Sequence, residues 1–160
     1  MFMPNLRRKM YSYFIPKIGK SLGNAHVAIY RATRGKVGGK YRAGSAFPRG
    51  VPVCLITTIG CKTGKLRTKA VLYHDAGDRI VLAASTAGQS HNPHWYNNLV
   101  ANPEVTIQKG STVHKMRART ADKAERTNLW PRMVGMFSDY ETYQSWTDRV
   151  IPVVICEPVA

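Results

Sequence analysis

Residues 51–84 read VPVCLITTIGCKTGKLRTKAVLYHDAGDRIVLAA, and this stretch decides the fold. Three runs rich in Val, Ile, Leu and Thr predict strands at Val51–Thr58, Thr68–His74 and Arg79–Ala84. The segment Asp75–Asp78 contains a glycine and predicts a tight turn between two antiparallel strands. The stretch therefore predicts a sheet that is built from hairpins.

The rest of the chain adds helices around this sheet. Asn92 followed by Pro93 predicts a helix with Asn92 as its N-cap, ending near Asn102-Pro103. Further strands are predicted at Glu104–Lys109, Thr112–Thr120 and Val150–Cys156, and further helices at Asp122–Met136 and Asp139–Trp146. With six strands, mostly in hairpins, and about five helices, the chain is predicted to be an α+β protein, a small antiparallel barrel flanked by helices.

The first 50 residues have a different character. Residues 4–22 predict a basic amphipathic helix that is interrupted at Pro16. Asn24 is predicted to cap a second helix that runs to Arg34, and a glycine-rich basic loop follows. We therefore predict an N-terminal segment at residues 1–34 and a folded domain at residues 35–160.

The charge of the chain is unevenly distributed. Its 160 residues carry 24 Lys and Arg against 9 Asp and Glu, a net charge of +15, and no carboxylate side chain precedes Asp75. This asymmetry predicts an anionic partner, which could be an acidic ligand, a lipid surface or a nucleic acid. Three cysteines without a CxxC pair, and no apolar run long enough to span a bilayer, predict a protein of the reducing cytoplasm.

Two segments are predicted to bind a ligand. The loop between the first two strands carries Lys62, Lys65 and Arg67 and can offer these cations, together with main-chain N–H groups, to a phosphate; the alternative is a solvated hairpin loop. It lacks the residues of a Walker A loop. Residues 83–99 place small residues before a helix start, where a flat or anionic ligand can approach, although Trp95 and Leu99 could equally be core.

The remaining candidates are aromatic residues and histidines. Phe137, Tyr140, Tyr143 and Trp146 recur at helical spacing, as a core stripe or as hydroxyl donors in a cavity. Histidines 91 and 94 lack further ligands nearby, so no metal site is predicted. Because the sequence contains no HExxH or GxGxxG motif, a bound cofactor is expected to carry the chemistry.

Several motifs occur in order between about Tyr30 and Pro158: Gly35–Gly39, Thr57–Arg67, Ala84–Leu99, Asn102-Pro103, Glu125–Trp130 and Thr147–Val153. This ordered set resembles the deazaflavin-dependent nitroreductases of actinobacteria, which are split-barrel proteins that use the reduced coenzyme F420. Four positions depart from the family pattern. Cys61 stands where Arg is frequent, Thr86-Ala87 where Lys-Gly is common, and Phe137 where the family has a tyrosine.

The resemblance implies a role for each matching position. The phosphate and polyglutamyl tail of F420 would be held by Lys62, Thr63, Gly64, Lys65, Arg67 and Thr68. The deazaflavin ring would be lined by Ser85, Thr86, Ala87, Gly88, Pro93, Trp95, Tyr96, Asn98 and Tyr140. Tyr140, Tyr143 and Ser85 would act on the substrate as catalytic residues.

The implied activity is hydride transfer from reduced F420 to a quinone, a nitro compound or an activated alkene. The alternatives are a carrier of F420 or FMN without turnover, or a basic module that binds a membrane or nucleic acid. We expect F420 rather than FMN, and neither metal nor nucleic acid. We also expect residues 4–22 to bring the protein to anionic lipid on the inner face of the cell membrane.

Overall fold

Eight strands form one curled antiparallel sheet in the computed structural model, which describes residues 22–159. The strands are β1 (Lys40–Tyr41), β2 (Val51–Ile59), β3 (Leu66–Leu72), β4 (His74–Ala76), β5 (Arg79–Ala83), β6 (Glu104–Lys109), β7 (Thr112–Thr120) and β8 (Val153–Pro158). Their order across the sheet is β1-β2-β6-β7-β8-β5-β4, and β3 pairs with β2 beside this path.

Four helices surround the sheet: α1 (22–32), α2 (His94–Ala101), α3 (Lys123–Met136) and α4 (Asp139–Ser145). Two single turns of 3-10 helix lie at Gly44–Ala46 and Thr86–Gly88. The predicted α+β class and antiparallel split barrel are confirmed. No helix among residues 22–159 is both long enough and apolar enough to cross a bilayer.

The sheet differs from the prediction in its short strands and in some strand boundaries. Strands β1 and β4 were not predicted, because each has only two or three residues and forms only by pairing with a longer strand. The predicted strand Thr68–His74 is divided after Leu72: Tyr73 still donates its N–H to the Pro52 carbonyl, at 3.1 Å, whereas His74 pairs with Val81 of β5. The last strand begins at Val153 rather than at the exposed Val150, because Pro152 has no N–H for the ladder.

Helix α1 packs on the outer face of β2. Val27 and Tyr30 form a buried cluster with Val53 and Leu55, and the Tyr30 hydroxyl donates to the Val53 carbonyl at 3.0 Å and accepts the Gly110 N–H at 2.9 Å. The predicted cap is wrong, because Asn24 lies inside the helix. Most of residues 4–22, the predicted membrane-binding segment, lie outside the described residues.

The sheet encloses the main core on its other face. Cys54 and Ile56 of β2 meet Ile107 of β6, and Trp95 and Leu99 of α2 close this core. Because β2 is covered on both faces, its sequence reads as a nearly continuous apolar run rather than as an alternating one.

Helix α3 begins at a capping box. The Asp122 carboxylate accepts the Glu125 N–H at 2.8 Å, and the Glu125 carboxylate accepts the Asp122 N–H at 2.9 Å. Arg119 also donates two hydrogen bonds to Glu125, at 2.7 and 2.8 Å. These contacts, Arg119 first, lower the pKa of Glu125 to about 2.

Candidate active site

A cavity of about 400 Å³ opens between the sheet, α1 and α4. This volume is within the range of small-molecule binding sites. Three parts of the chain form its wall: the segment after β5, the aromatic residues around α4, and the face of β2 and β3 next to α1.

The first part of the wall is the segment that links β5 to α2. Ser85, Thr86, Pro93 and Trp95 line the cavity. Trp95 is only 8% exposed and contributes both to this wall and to the main core, whereas its contact with a ligand stays a prediction. Four of the residues expected around the deazaflavin ring are thus brought together.

The second part of the wall is a cluster of aromatic rings. Phe137, Tyr140 and Tyr143 line the cavity, with ring centroids 5.1 Å apart for Phe137 and Tyr140 and 6.4 Å apart for Tyr140 and Tyr143. Tyr41 of β1 joins them, 5.8 Å from Phe137. The helical spacing of these aromatic residues predicted a single helix. That prediction is wrong, because Phe137 is the C-cap of α3 and Tyr140 belongs to α4.

The phenol of Tyr140 is held in its neutral form. The residue is 3% exposed, and this burial raises its pKa well above the usual value near 10. At neutral pH the hydroxyl can therefore donate a hydrogen bond but is a poor source of protons.

The third part of the wall includes a residue that sequence analysis missed. His26 of α1 lines the cavity beside Val53 and Leu72, and its Nε2 lies 2.8 Å from the Gly38 carbonyl. The sequence predicted no role for His26. Only the packing of α1 on the sheet brings it to the cavity, and no local pattern in the sequence indicates this.

The loop between β2 and β3 is stabilised from within. The N–H groups of Gly60, Thr63, Gly64 and Lys65 all donate to acceptors inside the loop, at 2.7–3.3 Å. Cys61 donates its N–H to the Asn98 side chain at 3.0 Å. The predicted use of main-chain N–H groups as an anion cradle is therefore not supported at these positions.

The loop instead offers side-chain charge. Lys62, Lys65 and Arg67 are exposed, and no carboxylate within residues 22–159 forms an ion pair with any of them. Arg31 of α1 lies beside the same strand and donates to the Thr68 hydroxyl at 3.0 Å. These four cations can attract an anion without first breaking an ion pair with a described carboxylate.

Four of the residues expected around the deazaflavin ring do not line the cavity: Ala87, Gly88, Tyr96 and Asn98. The Asn98 amide is buried, and it donates to Thr58 Oγ1 at 3.0 Å while accepting the Cys61 N–H. The Tyr96 hydroxyl lies 2.9 Å from Thr120 Oγ1. Gly88 packs against α4, where an added Cβ would lie 2.7 Å from the Tyr143 carbonyl oxygen. All three therefore support neighbouring elements.

The predicted N-cap of α2 is also wrong. Pro93 occupies that position, and the Asn92 side chain accepts a hydrogen bond from Arg149 at 2.7 Å instead. Arg149 lies 57 residues further along the chain. A local motif therefore could not predict that the Asn92 oxygen binds Arg149 instead of capping α2.

The chemistry of the wall fits a flat heterocycle with polar edges. Aromatic rings supply apolar faces, while Thr86 Oγ1 is buried without any hydrogen-bond partner among the described residues. A polar atom of a bound molecule would satisfy this hydroxyl. No cluster of three potential metal ligands occurs within residues 22–159.

The split barrel, its cavity and the exposed basic loop after β2 fit the class of cofactor-dependent oxidoreductases. The chain belongs to the F420H(2)-dependent quinone reductase family, whose family model matches residues 23–158. It is therefore an oxidoreductase, and its cofactor is F420.

Two curated relatives from Mycobacterium tuberculosis are similar over most of their length. One, named as a candidate F420H(2)-dependent quinone reductase, is 41% identical over 117 residues, which cover 73% of this chain and 98% of the relative. The other, named as an F420H(2)-dependent quinone reductase, is 35% identical over 141 residues, 86% of this chain and 91% of the relative.

A solved structure supports the fold independently. An F420-H2 dependent reductase is 37% identical, with a TM-score of 0.62 over 66% of this chain and 94% of that one. The comparisons support the reductase rather than a carrier or a nucleic-acid-binding module.

Proposed function

We propose that this enzyme reduces a quinone in the cavity between the segment after β5 and the aromatic residues of α4, and that the basic loop after β2 holds the anionic tail of F420. The observation that carries the proposal is a cavity that combines Ser85, Thr86, Pro93 and Trp95 with Tyr140 and Tyr143. When bound, the reduced deazaflavin supplies a hydride to the acceptor.

The protein's contribution is orientation and hydrogen bonding. The first part of the wall, with Trp95, holds the ring, and Tyr140 and Tyr143 face the acceptor. Because the pKa of Tyr140 is raised, its Oη–H stays protonated and positions a carbonyl oxygen of the acceptor. Ser85 is a second hydroxyl on the same wall, and solvent supplies the final proton.

The exposed cations support a site for the tail outside the cavity. Lys62, Lys65 and Arg67 are free of ion pairs with the described carboxylates, so binding a phosphate or glutamate there breaks no internal salt bridge. Hydrogen bonds to charged groups contribute about 1.5–3 kcal/mol each. The loop therefore supports tight binding that weakens as salt is added.

A direct test is to titrate the protein with oxidised F420 and, separately, with FMN while following fluorescence. Lys62→Ala and Arg67→Ala should each weaken F420 binding by about tenfold or more. Lys115→Ala is a matched control, because Lys115 is also exposed but lies on β7. Binding of FMN without F420, or equal affinities in all variants, would refute the cofactor site.

Turnover distinguishes the acceptors. We expect reduced F420 to be reoxidised faster by menadione than by a nitroaromatic compound or a cyclic enone, because Phe137 gives the acceptor side of the wall one hydroxyl fewer than the family pattern. Phe137→Tyr tests this reason directly, since it adds a hydroxyl to a residue that lines the cavity. Faster turnover of the nitro compound by the unaltered protein would contradict it.

We also propose that anionic lipid is a partner surface, through the basic residues 4–22. Their cations and apolar residues support this, and Leu22, the one described residue of this segment, is 63% exposed. The protein should sediment with vesicles that contain phosphatidylglycerol but not with vesicles of phosphatidylcholine alone. Replacing Arg7, Arg8 and Lys9 with Glu should abolish this binding; unchanged sedimentation would exclude the segment.

A further inference from the structure

One arginine holds the segment between β5 and α2. The Arg149 guanidinium donates through Nη2 to the carbonyls of Ala84 and Ser85, at 3.1 and 2.8 Å. Its Nε donates to the Gln89 carbonyl at 2.9 Å, and its Nη1 to the Asn92 side chain at 2.7 Å. All four acceptors are uncharged oxygens on this one segment, so the guanidinium fixes both of its ends.

The backbone between these contacts is strained. Thr86 and Ala87 have φ values of 46° and 49°, in the left-handed region that residues with a Cβ rarely occupy. Non-glycine residues stay in this region only where the surrounding structure imposes it, and such residues concentrate at functional sites. The four hydrogen bonds of Arg149 are one such constraint, beside the turn bonds from Gly88 to Ser85 and from Gln89 to Thr86.

The strained backbone places Thr86 in the cavity wall, where its hydroxyl lowers the stability of the free protein. Its Oγ1 is buried, and no described residue forms a hydrogen bond with it. An unsatisfied buried hydroxyl is unfavourable, so the free protein gains nothing from it. A hydroxyl can donate and accept, so it can pair with either a ring carbonyl or a ring N–H.

We propose that Thr86 Oγ1 forms a specific hydrogen bond with the polar edge of the heterocyclic cofactor, and that Arg149 is the positioning residue that holds Thr86 for this contact. The inference rests on the proposed function, since it takes this cavity as the F420 site. It explains both the strained backbone and the unpartnered hydroxyl by one ligand contact.

The test measures folding and binding separately. Thr86→Val removes the hydroxyl but keeps the side-chain shape, so the thermal midpoint of the free protein should stay the same or rise. The F420 affinity should fall by about tenfold. Thr86→Ser keeps the hydroxyl and should bind within about twofold of the unaltered protein.

Arg149 is tested against a similar arginine that does not touch the segment. Arg126 is also half-buried and donates to the Ile151 carbonyl and the Gln144 side chain, at 3.1 Å in each case. Arg149→Ala and Arg126→Ala should both lower the thermal midpoint, but only Arg149→Ala should weaken F420 binding. Millimolar methylguanidinium should restore part of the affinity of Arg149→Ala.

Coupling between the two residues completes the test. If Arg149 acts through Thr86, the double variant Thr86→Val/Arg149→Ala should bind F420 hardly more weakly than Arg149→Ala alone. Unchanged affinity in Thr86→Val, or fully additive losses, would overturn the inference while leaving the proposed function intact. If the unaltered protein fails to bind F420, the proposed function fails and this inference falls with it.

Discussion

The buried amide of Asn98 provides the most direct test of how the basic loop is held. Asn98→Ala removes the hydrogen bond to the Cys61 N–H and the one to the Thr58 hydroxyl, both 3.0 Å long. The Thr58 hydroxyl keeps a long contact of 3.5 Å to the Arg67 carbonyl, whereas the Cys61 N–H loses its acceptor. The larger loss of stability therefore comes from the Cys61 N–H.

The magnitude follows from these two contacts. A hydrogen bond contributes about 0.5–1.5 kcal/mol, and a donor left without a partner costs about 1–3 kcal/mol. We expect the free energy of unfolding to fall by about 2–4 kcal/mol. Asn97→Ala is the matched control, because Asn97 is exposed on the same helix turn and carries the same change in helix propensity.

Urea unfolding followed by tryptophan fluorescence measures the stability, and F420 titration under native conditions measures the affinity. Asn98→Ala should bind F420 more weakly although its side chain is buried, because the loop with Lys62 and Lys65 loses an anchor. Equal stabilities of the two variants would refute the reasoning about the amide. If Asn98→Ala is less stable but binds F420 with unchanged affinity, the anchor of the loop does not contribute to cofactor binding.

The other predictions concern packing and titration. Gly88→Ala should lower the free energy of unfolding by more than about 2 kcal/mol, because the new Cβ clashes with the Tyr143 carbonyl and φ is positive. Gly77 also has a positive φ but open space around it, so Gly77→Ala should lower it by only about 1 kcal/mol. Urea unfolding of both variants measures the difference. Glu125→Gln should be less stable than the unaltered protein at pH 7. Because the folded pKa of Glu125 is lowered from 4.5 to about 2, this difference should disappear as pH falls through that range, and unfolding at several pH values checks it. Tyr30→Phe leaves the Gly110 N–H without its partner and should cost about 1–3 kcal/mol by urea unfolding. Burial raises the pKa of Tyr140, so its contribution to stability is complete below about pH 10 and is lost above it; Tyr140→Phe should flatten this alkaline decline in a pH series of unfolding curves.

Local patterns predicted the long strands accurately. Glu104–Lys109 and Thr112–Thr120 have the predicted boundaries, because their hydrophobic pattern and the turn between them lie within one stretch of sequence. Strands β1 and β4 were missed because two or three residues carry too little pattern to be recognised without their partners.

The cavity was only partly predictable for a related reason. Ser85, Thr86, Tyr140 and Tyr143 were identified by the family resemblance, and the structure brings them to one wall. Their roles in binding and catalysis stay predictions. No role was predicted for His26, or for Arg149 within its family motif, because their importance comes from partners that are distant in sequence, such as the segment that Arg149 holds from more than 50 residues away. The loop N–H groups were expected to bind an anion, because the sequence does not reveal that they are satisfied internally.

The contact between Tyr30 and Gly110 has a consequence for how the protein is made. The two residues are 80 positions apart, and ribosomes add about 5–20 residues per second, so α1 emerges about 4–16 s before this partner is synthesised. During that interval the apolar side of α1 has no completed sheet to cover. Val53 and Leu55 of β2 can cover Val27 and Tyr30 earlier, but the Tyr30 hydroxyl gains its Gly110 donor only when the turn between β6 and β7 is made. The cavity is completed later still, because Phe137, Tyr140 and Tyr143 of its wall follow in the sequence.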